Sequence, residues 1–115
     1  MITYTQLEEQ AAAFCHFEKL PNGHGGLKRA KQFLQVRPKE AIAFVAARPD
    51  TRWWHELTRD AAVVCFITGR VRFPGEKSGA PFPSALIYYG QNAHGFVKTL
   101  GHLGEMRARL RDVDI

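Results

Sequence analysis

The stretch AIAFVAA, residues 41–47, decides the fold, because it is a continuous apolar run between the polar segments RPKE and RPDT. Such a run is typical of a β-strand covered on both faces, since a strand with one solvated face alternates apolar and polar residues. Two further strand-like runs follow, AVVCFIT at residues 62–68 and SALIYYG at residues 84–90. The sequence therefore predicts an α/β fold with a small sheet of about three strands flanked by helices.

Helical patterns separate and flank these strands. Residues 5–8, TQLE, match a capping box and predict a helix that ends near Leu20, before the turn-forming PNG of residues 21–23. Further helices are predicted at residues 27–34, at residues 53–57 after a cap at Asp50 or Thr51, and around Phe96, Leu100 and Leu103 after a cap at Gln91-Asn92.

The connections predict the strand directions. A helical link joins the first two strands, which we therefore expect to be parallel, whereas the loop before the third strand is too short for a helical crossover and predicts an antiparallel pair. RVRF, residues 70–73, continues the second strand with the alternation of a single buried face. The ending EMRARLRDVDI fits both a strand and a helix, and we favour a frayed helix or a tail.

The length and composition predict one domain over residues 1–115, since 45% of the 115 residues are hydrophobic and such a chain buries roughly two-thirds of its unfolded surface. We divide it into an N-terminal helix and glycine-rich connection (1–26), an α/β core (27–103) and a basic tail (104–115). No apolar run approaches the roughly 20 residues of a membrane span, and the polar start MITYTQLEEQ is unlike a signal peptide. A cytoplasmic protein without membrane contact is expected.

The cysteines and histidines do not have the spacing of a metal site or a catalytic site. Cys15 and Cys65 lie among apolar neighbours, so we expect buried free thiols rather than a disulfide or a metal pair. No carboxylate cluster accompanies the histidines at the spacing of a metal site, and His16 and His55 are interpreted as helix residues, His16 partly buried. The full set is His16, His24, His55, His94 and His102. We therefore predict no metal, no cofactor and no catalytic residue.

The formal charge of +5 is unevenly distributed. Arg70, Arg72 and Lys77 form one basic group that faces only Glu76. A second group lies between residues 27 and 52, with Glu40 and Asp50 as its acids: Lys28, Arg29, Lys31, Arg37, Lys39, Arg48 and Arg52. Such a surplus favours polyanionic partners, although many small soluble proteins are mildly basic for no specific reason.

Aromatic residues lie beside these cations. Trp53 and Trp54 are adjacent on a predicted helix, so we expect one in the core and the other at its boundary. Tyr88 and Tyr89 are expected on opposite faces of a strand, with one exposed near the loop. Phe82 stands between two prolines, either as part of a binding loop or in a connection that the prolines simply stiffen.

From about Leu27 to Leu103 the chain resembles the C-terminal half of phage-type DNA adenine-N6 methyltransferases. The segments that carry the resemblance are AIAFVAARPDTRWWHE (41–56), CFITGRVRFPGEKSGAPFPSALIYYG (65–90) and FVKTLGHLG (96–104). It implies the later strands of a Rossmann-like sheet with an antiparallel final pair. It also implies that the loops at residues 48–52 and 75–83 line a nucleic-acid cleft at the carboxyl ends of the strands.

The chain departs from that family at the motifs for catalysis. Members carry (Asp/Asn)-Pro-Pro-(Tyr/Phe/Trp) before the helix that corresponds to residues 27–34, and this motif holds the amino group and ring of the flipped adenine. Here the region reads LPNGHGGL, with the proline and asparagine in the wrong order and no aromatic. GHGGL is expected to follow a helix and a turn rather than a strand, so it is a poor cofactor loop. About two strands of the family's cofactor half have no counterpart, and one capped helix takes their place.

The resulting hypothesis is a non-catalytic phage or prophage accessory protein of the bacterial cytoplasm, derived from an adenine methyltransferase fold. It would bind nucleic acid, or a host defence protein that handles nucleic acid, as anti-restriction and anti-CRISPR proteins do. The residues expected to bind are Arg48, Arg52, Arg70, Arg72, Lys77 and Phe82.

Two alternatives stay open. One is a minimal or split S-adenosylmethionine-dependent adenine-N6 methyltransferase whose cofactor half comes from another chain or from a second copy, and the other is a structural or assembly component of a phage. The missing strands also predict an unpaired sheet edge at AIAFVAA, covered either by the N-terminal helix or by a second copy in a homodimer.

Overall fold

A computed structural model describes residues 2–20 and 26–108. Its helices and strands alternate for most of the chain, and a single 3-10 turn, Gly101–Leu103, precedes the last strand. In chain order they are α1 (Tyr4–Phe14), β1 (His16–Lys19), α2 (Gly26–Val36), β2 (Ala41–Ala46), α3 (Arg52–Thr58), β3 (Val63–Ile67), β4 (Ser84–Tyr89), α4 (Ala93–Leu100) and β5 (Gly104–Ala108).

The strands form one mixed sheet in the order β1-β2-β4-β3-β5. β1 and β2 are parallel, and every other neighbouring pair is antiparallel. The α/β class is confirmed, whereas the expected three strands are in fact five. β2 and β3 run in the same direction, as the helical link predicts, but β4 lies between them. The antiparallel pairing of β3 with β4 is confirmed.

The central strands β2 and β4 contribute side chains to two hydrophobic cores, one on each face of the sheet. Every residue of both strands is buried, and successive side chains point to opposite faces. On one face α1 and α4 pack over Ile42, Phe44 and Tyr88, and on the other α2 and α3 pack over Val45 and Tyr89. The two tyrosines are therefore on opposite faces, as predicted, but neither is exposed, because helices cover both faces of β4.

The N-terminal helix begins and ends earlier than predicted. Its cap is Thr3 rather than Thr5: the Thr3 hydroxyl accepts from the Gln6 amide at 3.2 Å, and the Gln6 side chain accepts from the Thr3 amide at 3.1 Å. Cys15 has an extended backbone, with φ −164°, and ends the helix. The next residues form β1 instead of further helix, so the helical prediction to Leu20 is wrong.

β1 also removes the sheet edge that the sequence predicts. AIAFVAA pairs with β1 on one side and with β4 on the other, and Leu20 extends the first ladder by donating to the Phe44 carbonyl at 2.9 Å. The prediction of an unpaired edge at these residues is therefore wrong. GHGGL is likewise preceded by a strand rather than by a helix, although residues 21–25 themselves, including His24, lie outside the described residues.

The C-terminal segment joins the sheet. Residues 104–108 form β5 along β3, with Met106 opposite Cys65, so the prediction of a frayed helix or tail is wrong there. The period-two alternation prevails because Met106 covers the core while Glu105 and Arg107 face solvent. Residues 109–115 lie outside the described part of the chain.

The predictions for the two tryptophans and for residues 70–73 can also be compared with the structure. Trp54 is 5% exposed and Trp53 lies at the core boundary, as expected. Val71 is fully buried between exposed Arg70 and Arg72, which confirms the one-sided pattern, although this segment makes a single bridge to Thr3 rather than a strand. Among the described residues, no helix is long and apolar enough to span a membrane.

Candidate nucleic-acid interface

The carboxyl ends of β1, β2 and β3 and the start of β4 meet at one side of the sheet. Two loops leave the sheet there, residues 47–52 after β2 and residues 68–83 between β3 and β4. The Ala47 amide donates to the Pro83 carbonyl at 2.8 Å and joins the two loops. We call these two loops the carboxyl-end edge. All six predicted binding residues lie on it.

Backbone contacts hold the longer loop in place. The Ala80 amide donates to the Val71 carbonyl at 2.8 Å, which closes the loop on itself. Arg72 bonds through its backbone to both Ile2 and Tyr4, at 3.1 and 2.8 Å, and so fastens the loop to the start of α1. Gly69 and Gly75 supply the positive φ values of 77° and 82° that the turns require. The loop therefore presents its cations from a fixed backbone.

The five cations of the edge are exposed. Arg48 forms an ion pair with Asp50 at 3.4 Å, but both side chains are more than half exposed, so the pair is weak and Arg48 stays available. The Arg72 guanidinium donates to the Glu76 carbonyl at 3.2 Å. Arg52, Arg70 and Lys77 form no ion pair within residues 2–20 and 26–108.

The structure does not gather these cations into one cluster. Arg52 begins α3 and lies on the α2–α3 side of the sheet, whereas Arg72 pairs with the segment that leads into α1. The cations are therefore divided between the two faces of the sheet at this edge, with Arg52 on the face of α3 and Arg72 on the face of α1. Cations spread in this way suit an extended polyanion better than a single phosphate group.

Phe82 opens onto a pocket of about 590 Å³ next to the loop. The pocket is mostly apolar and has one cation and one carboxylate, Lys19 and Glu76. The Lys19 ammonium lies 4.5 Å from the centre of the Phe73 ring. The remaining wall residues are Leu20, Phe44, Phe73, Ala46, Ala80 and Pro81. A flat aromatic group fits this chemistry, because aromatic side chains and an exposed cation line the pocket.

Next to Arg52, the structure adds a basic surface that the predicted site did not include. Lys31, Arg52, His55 and Arg59 line a shallow depression of about 210 Å³ between α2 and α3, with Glu56 paired to Arg59 at 3.0 Å. α2 also exposes Lys28 and Arg29. The signal was present in the sequence: the cations of α2 recur on its solvent side and no acid lies within that helix.

At the opposite side of the sheet, Tyr88 and Glu40 form a hydrogen-bond network with the backbone. The Tyr88 hydroxyl donates to the Glu40 carboxylate and accepts from the Asn92 amide at 2.9 Å, while the Gln91 amide donates to Glu40 at 3.2 Å. Burial, aided by Glu40, raises the pKa of Tyr88 to about 12. A phenol that keeps its proton this firmly does not serve as a base at neutral pH. This hydrogen-bond network has a structural role, because it holds the turn at Gly90, whose φ is 147°.

The two cysteine thiols are no better suited to catalysis than the Tyr88 phenol. Burial raises the pKa of the Cys65 thiol to about 11, and burial together with Glu40 does the same for the pKa of Cys15, so neither is a thiolate at neutral pH. Cys65 is buried as predicted, while Cys15 is only partly so. His16 is exposed on β1, contrary to the prediction of a partly buried helix residue, because its strand is at the sheet edge. The described residues contain no cluster of possible metal ligands.

Comparison with known proteins gives no relative: no family model, curated protein or solved structure matches the chain. The resemblance to adenine methyltransferases therefore stays a prediction from the sequence.

Proposed function

We propose that this chain is a non-catalytic accessory protein of phage or prophage type, derived from an adenine methyltransferase half-domain. In this proposal it acts in the cytoplasm of a bacterial host and binds nucleic acid at the carboxyl-end edge. The observation that carries the proposal is the presence of five exposed cations on two loops at one edge of the sheet, with an aromatic pocket beside them. The antiparallel pairing of β3 with β4, the strands predicted as the final pair, agrees with what the resemblance implies.

The cations supply the attraction. Arg48, Arg52, Arg70, Arg72 and Lys77 lie on loops at the side of the sheet where open α/β folds bind their ligands. Lysine and arginine side chains that contact phosphates release condensed counterions, which supplies most of the affinity of a sequence-independent binder. Because the backbone of the longer loop is held at both ends, little ordering of the chain opposes binding.

The aromatic pocket favours single strands over duplex. Bases that are not paired stack on aromatic side chains, and each stack contributes about 1–3 kcal/mol. Phe82 and Phe73 both line the pocket; Phe82 is half-buried, and the Lys19 ammonium lies over the Phe73 ring. A duplex keeps its bases stacked internally and gains only from the cations, so we expect tighter binding of single-stranded DNA.

The second candidate is the split methyltransferase, and one observation favours it. β1 is parallel to β2 and is followed, across residues 21–25, by α2. A connection from the carboxyl end of a parallel strand to a helix is where such folds place cofactor and substrate loops. Calorimetry with S-adenosylmethionine tests the second candidate: micromolar binding by the purified chain supports an enzyme and contradicts the accessory protein.

Fluorescence anisotropy with labelled single-stranded and duplex DNA at low salt tests the proposal. The wild type should bind both, Arg70→Gln/Arg72→Gln and Arg48→Gln/Arg52→Gln should each bind more weakly, and Phe82→Ala should lose affinity mainly for single strands. Lys98→Gln is the matched control, because Lys98 is an exposed cation on α4. If the wild type binds neither DNA, the proposed interface is wrong, and a host defence protein or a virion component becomes the preferred partner.

A further inference from the structure

β5 forms one end of the sheet. It pairs with β3 on its inner side, and within residues 2–20 and 26–108 no strand pairs with its outer side. An edge of this kind presents free amides and carbonyls and is a template for another strand. The sequence analysis placed such an edge at β2, whereas in the structure the two ends of the sheet are β1 and β5.

The register identifies which backbone groups are free. The Thr68 amide donates to the Leu103 carbonyl at 2.9 Å, so these opposed residues form a hydrogen-bonded pair. Hydrogen-bonded and non-hydrogen-bonded pairs alternate along an antiparallel ladder, and the next two hydrogen-bonded pairs therefore contain Glu105 and Arg107. The other residues of β5 point their amides and carbonyls away from the sheet: Gly104, Met106 and Ala108.

We propose that β5 pairs with β5 of a second copy of this chain, antiparallel and centred on Met106, so that two sheets become one continuous sheet. In this arrangement Met106 lies opposite Met106 of the second copy, and Gly104 lies opposite Ala108. Each of these pairs exchanges both of its N–H···O bonds, because all the residues involved have outward-pointing backbone groups. A two-fold axis then relates the copies, as in most homodimers.

The charges of Glu105 and Arg107 favour this pairing register over registers whose centre is shifted by one residue. Glu105 and Arg107 are both more than half exposed, lie on the same face of the strand and form an ion pair at 2.7 Å. With the centre at Met106, Glu105 of one copy faces Arg107 of the other, and four alternating charges form a closed set. Moving the centre by one residue in either direction puts Glu105 opposite Glu105 or Arg107 opposite Arg107, which is destabilising.

The inference does not depend on nucleic-acid binding. β5 is at the far end of the sheet from β1 and β2, and none of the six predicted binding residues belongs to it. Loss of DNA binding in the variants above would leave the dimer intact, and loss of the dimer would leave the cations of the carboxyl-end edge in place.

Sedimentation velocity of the full chain at low salt, from about 10 to 500 μM, tests the pairing. The wild type should form a dimer, whereas Glu105→Arg and Arg107→Glu should each weaken it by about tenfold or more, because each places like charges opposite each other. Lys98→Glu, on α4, should dimerise as the wild type does. Circular dichroism of each variant verifies that it folds.

Mixing the two charge variants gives the sharper result. The Glu105→Arg chain carries two positive side chains on this face of β5, and the Arg107→Glu chain carries two negative ones. In a mixed dimer each positive side chain faces a negative one across the interface, while the ion pair within each chain stays broken. The mixture should therefore recover the dimer that neither variant forms alone, which a general loss of stability would not allow.

Three results would overturn the proposed pairing. They are a wild type that stays monomeric throughout, single variants that dimerise normally, and a mixture of the two variants that stays monomeric.

Discussion

Raising the salt concentration is the perturbation that best measures how many cations of the carboxyl-end edge contact phosphate. The logarithm of the binding constant falls with the logarithm of salt concentration by about 0.9 per neutralised phosphate on duplex DNA and about 0.7 on single strands. If all five exposed cations make contact, the slopes are about −4.5 and −3.5. Between about 50 and 200 mM salt, affinity then falls about 500-fold for duplex and about 130-fold for single strands.

These values are upper limits, because Arg48 shares its charge with Asp50. In Arg70→Gln/Arg72→Gln, two contacts disappear and the slope on single strands should become shallower by about 1.4. Anisotropy titrations at several salt concentrations measure both slopes, with Lys98→Gln as the control that should keep the wild-type slope. A wild-type slope near zero, or a slope that Lys98→Gln changes as much as the double variant does, would refute the reasoning.

Three further predictions concern the stability of the fold and the binding of S-adenosylmethionine. Tyr89→Phe removes the donor to the buried Leu57 carbonyl at 2.5 Å and should lower the free energy of unfolding at neutral pH by about 1–3 kcal/mol, measured by urea denaturation. Burial raises the pKa of Tyr89 above its ordinary value of 10.0, so the unfolded wild type loses this proton first and wild-type stability falls above that pH. The difference between wild type and variant should shrink between about pH 10 and 11, and an unchanged difference would count against the assignment. Asn92→Ala removes the side chain that accepts from the Gly95 amide at 3.0 Å and should cost about 1 kcal/mol, seen as a lower Tm, whereas Asn92→Asp should keep most of the cap. The purified chain should release no heat with S-adenosylmethionine, and micromolar binding would contradict a non-catalytic protein.

The centre of the fold could be predicted from the sequence because its residues have one acceptable environment. AIAFVAA has no polar side chain to leave in water, and the structure buries it on both faces. The helix caps at Thr51 and Asn92 were also readable, since each hydroxyl or amide oxygen precedes an apolar helical pattern and accepts from an early amide.

The edges of the sheet could not be predicted, because short strands have weak local signals. His16–Lys19 follows a helix without a glycine or proline, and Phe14 and Phe17 have the spacing of a helix face. Only the pairing with β2 makes this segment a strand. The same is true of β5, whose alternation also fits a helix until β3 is present to pair with it.

The sequence analysis predicted the exposed cations of the candidate site but not the pocket beside them. Arg48, Arg52 and the loop cations are exposed on the expected side of the sheet. The pocket beside Phe82 was not predicted, because it needs Lys19 from a strand that the sequence analysis assigned to a helix. Tertiary pairing, rather than local pattern, brings these residues together.

The central claim, that nucleic acid binds at the carboxyl-end edge, is tested most directly by titrating single-stranded DNA into the ¹⁵N-labelled chain and following its amide resonances. The account predicts that the shifting resonances are those of residues 47–52 and 68–83, with Lys19 and Leu20 beside the pocket, while α4 and β5 stay unchanged. Shifts confined to α4 or β5, or no shifts at low salt, would contradict it.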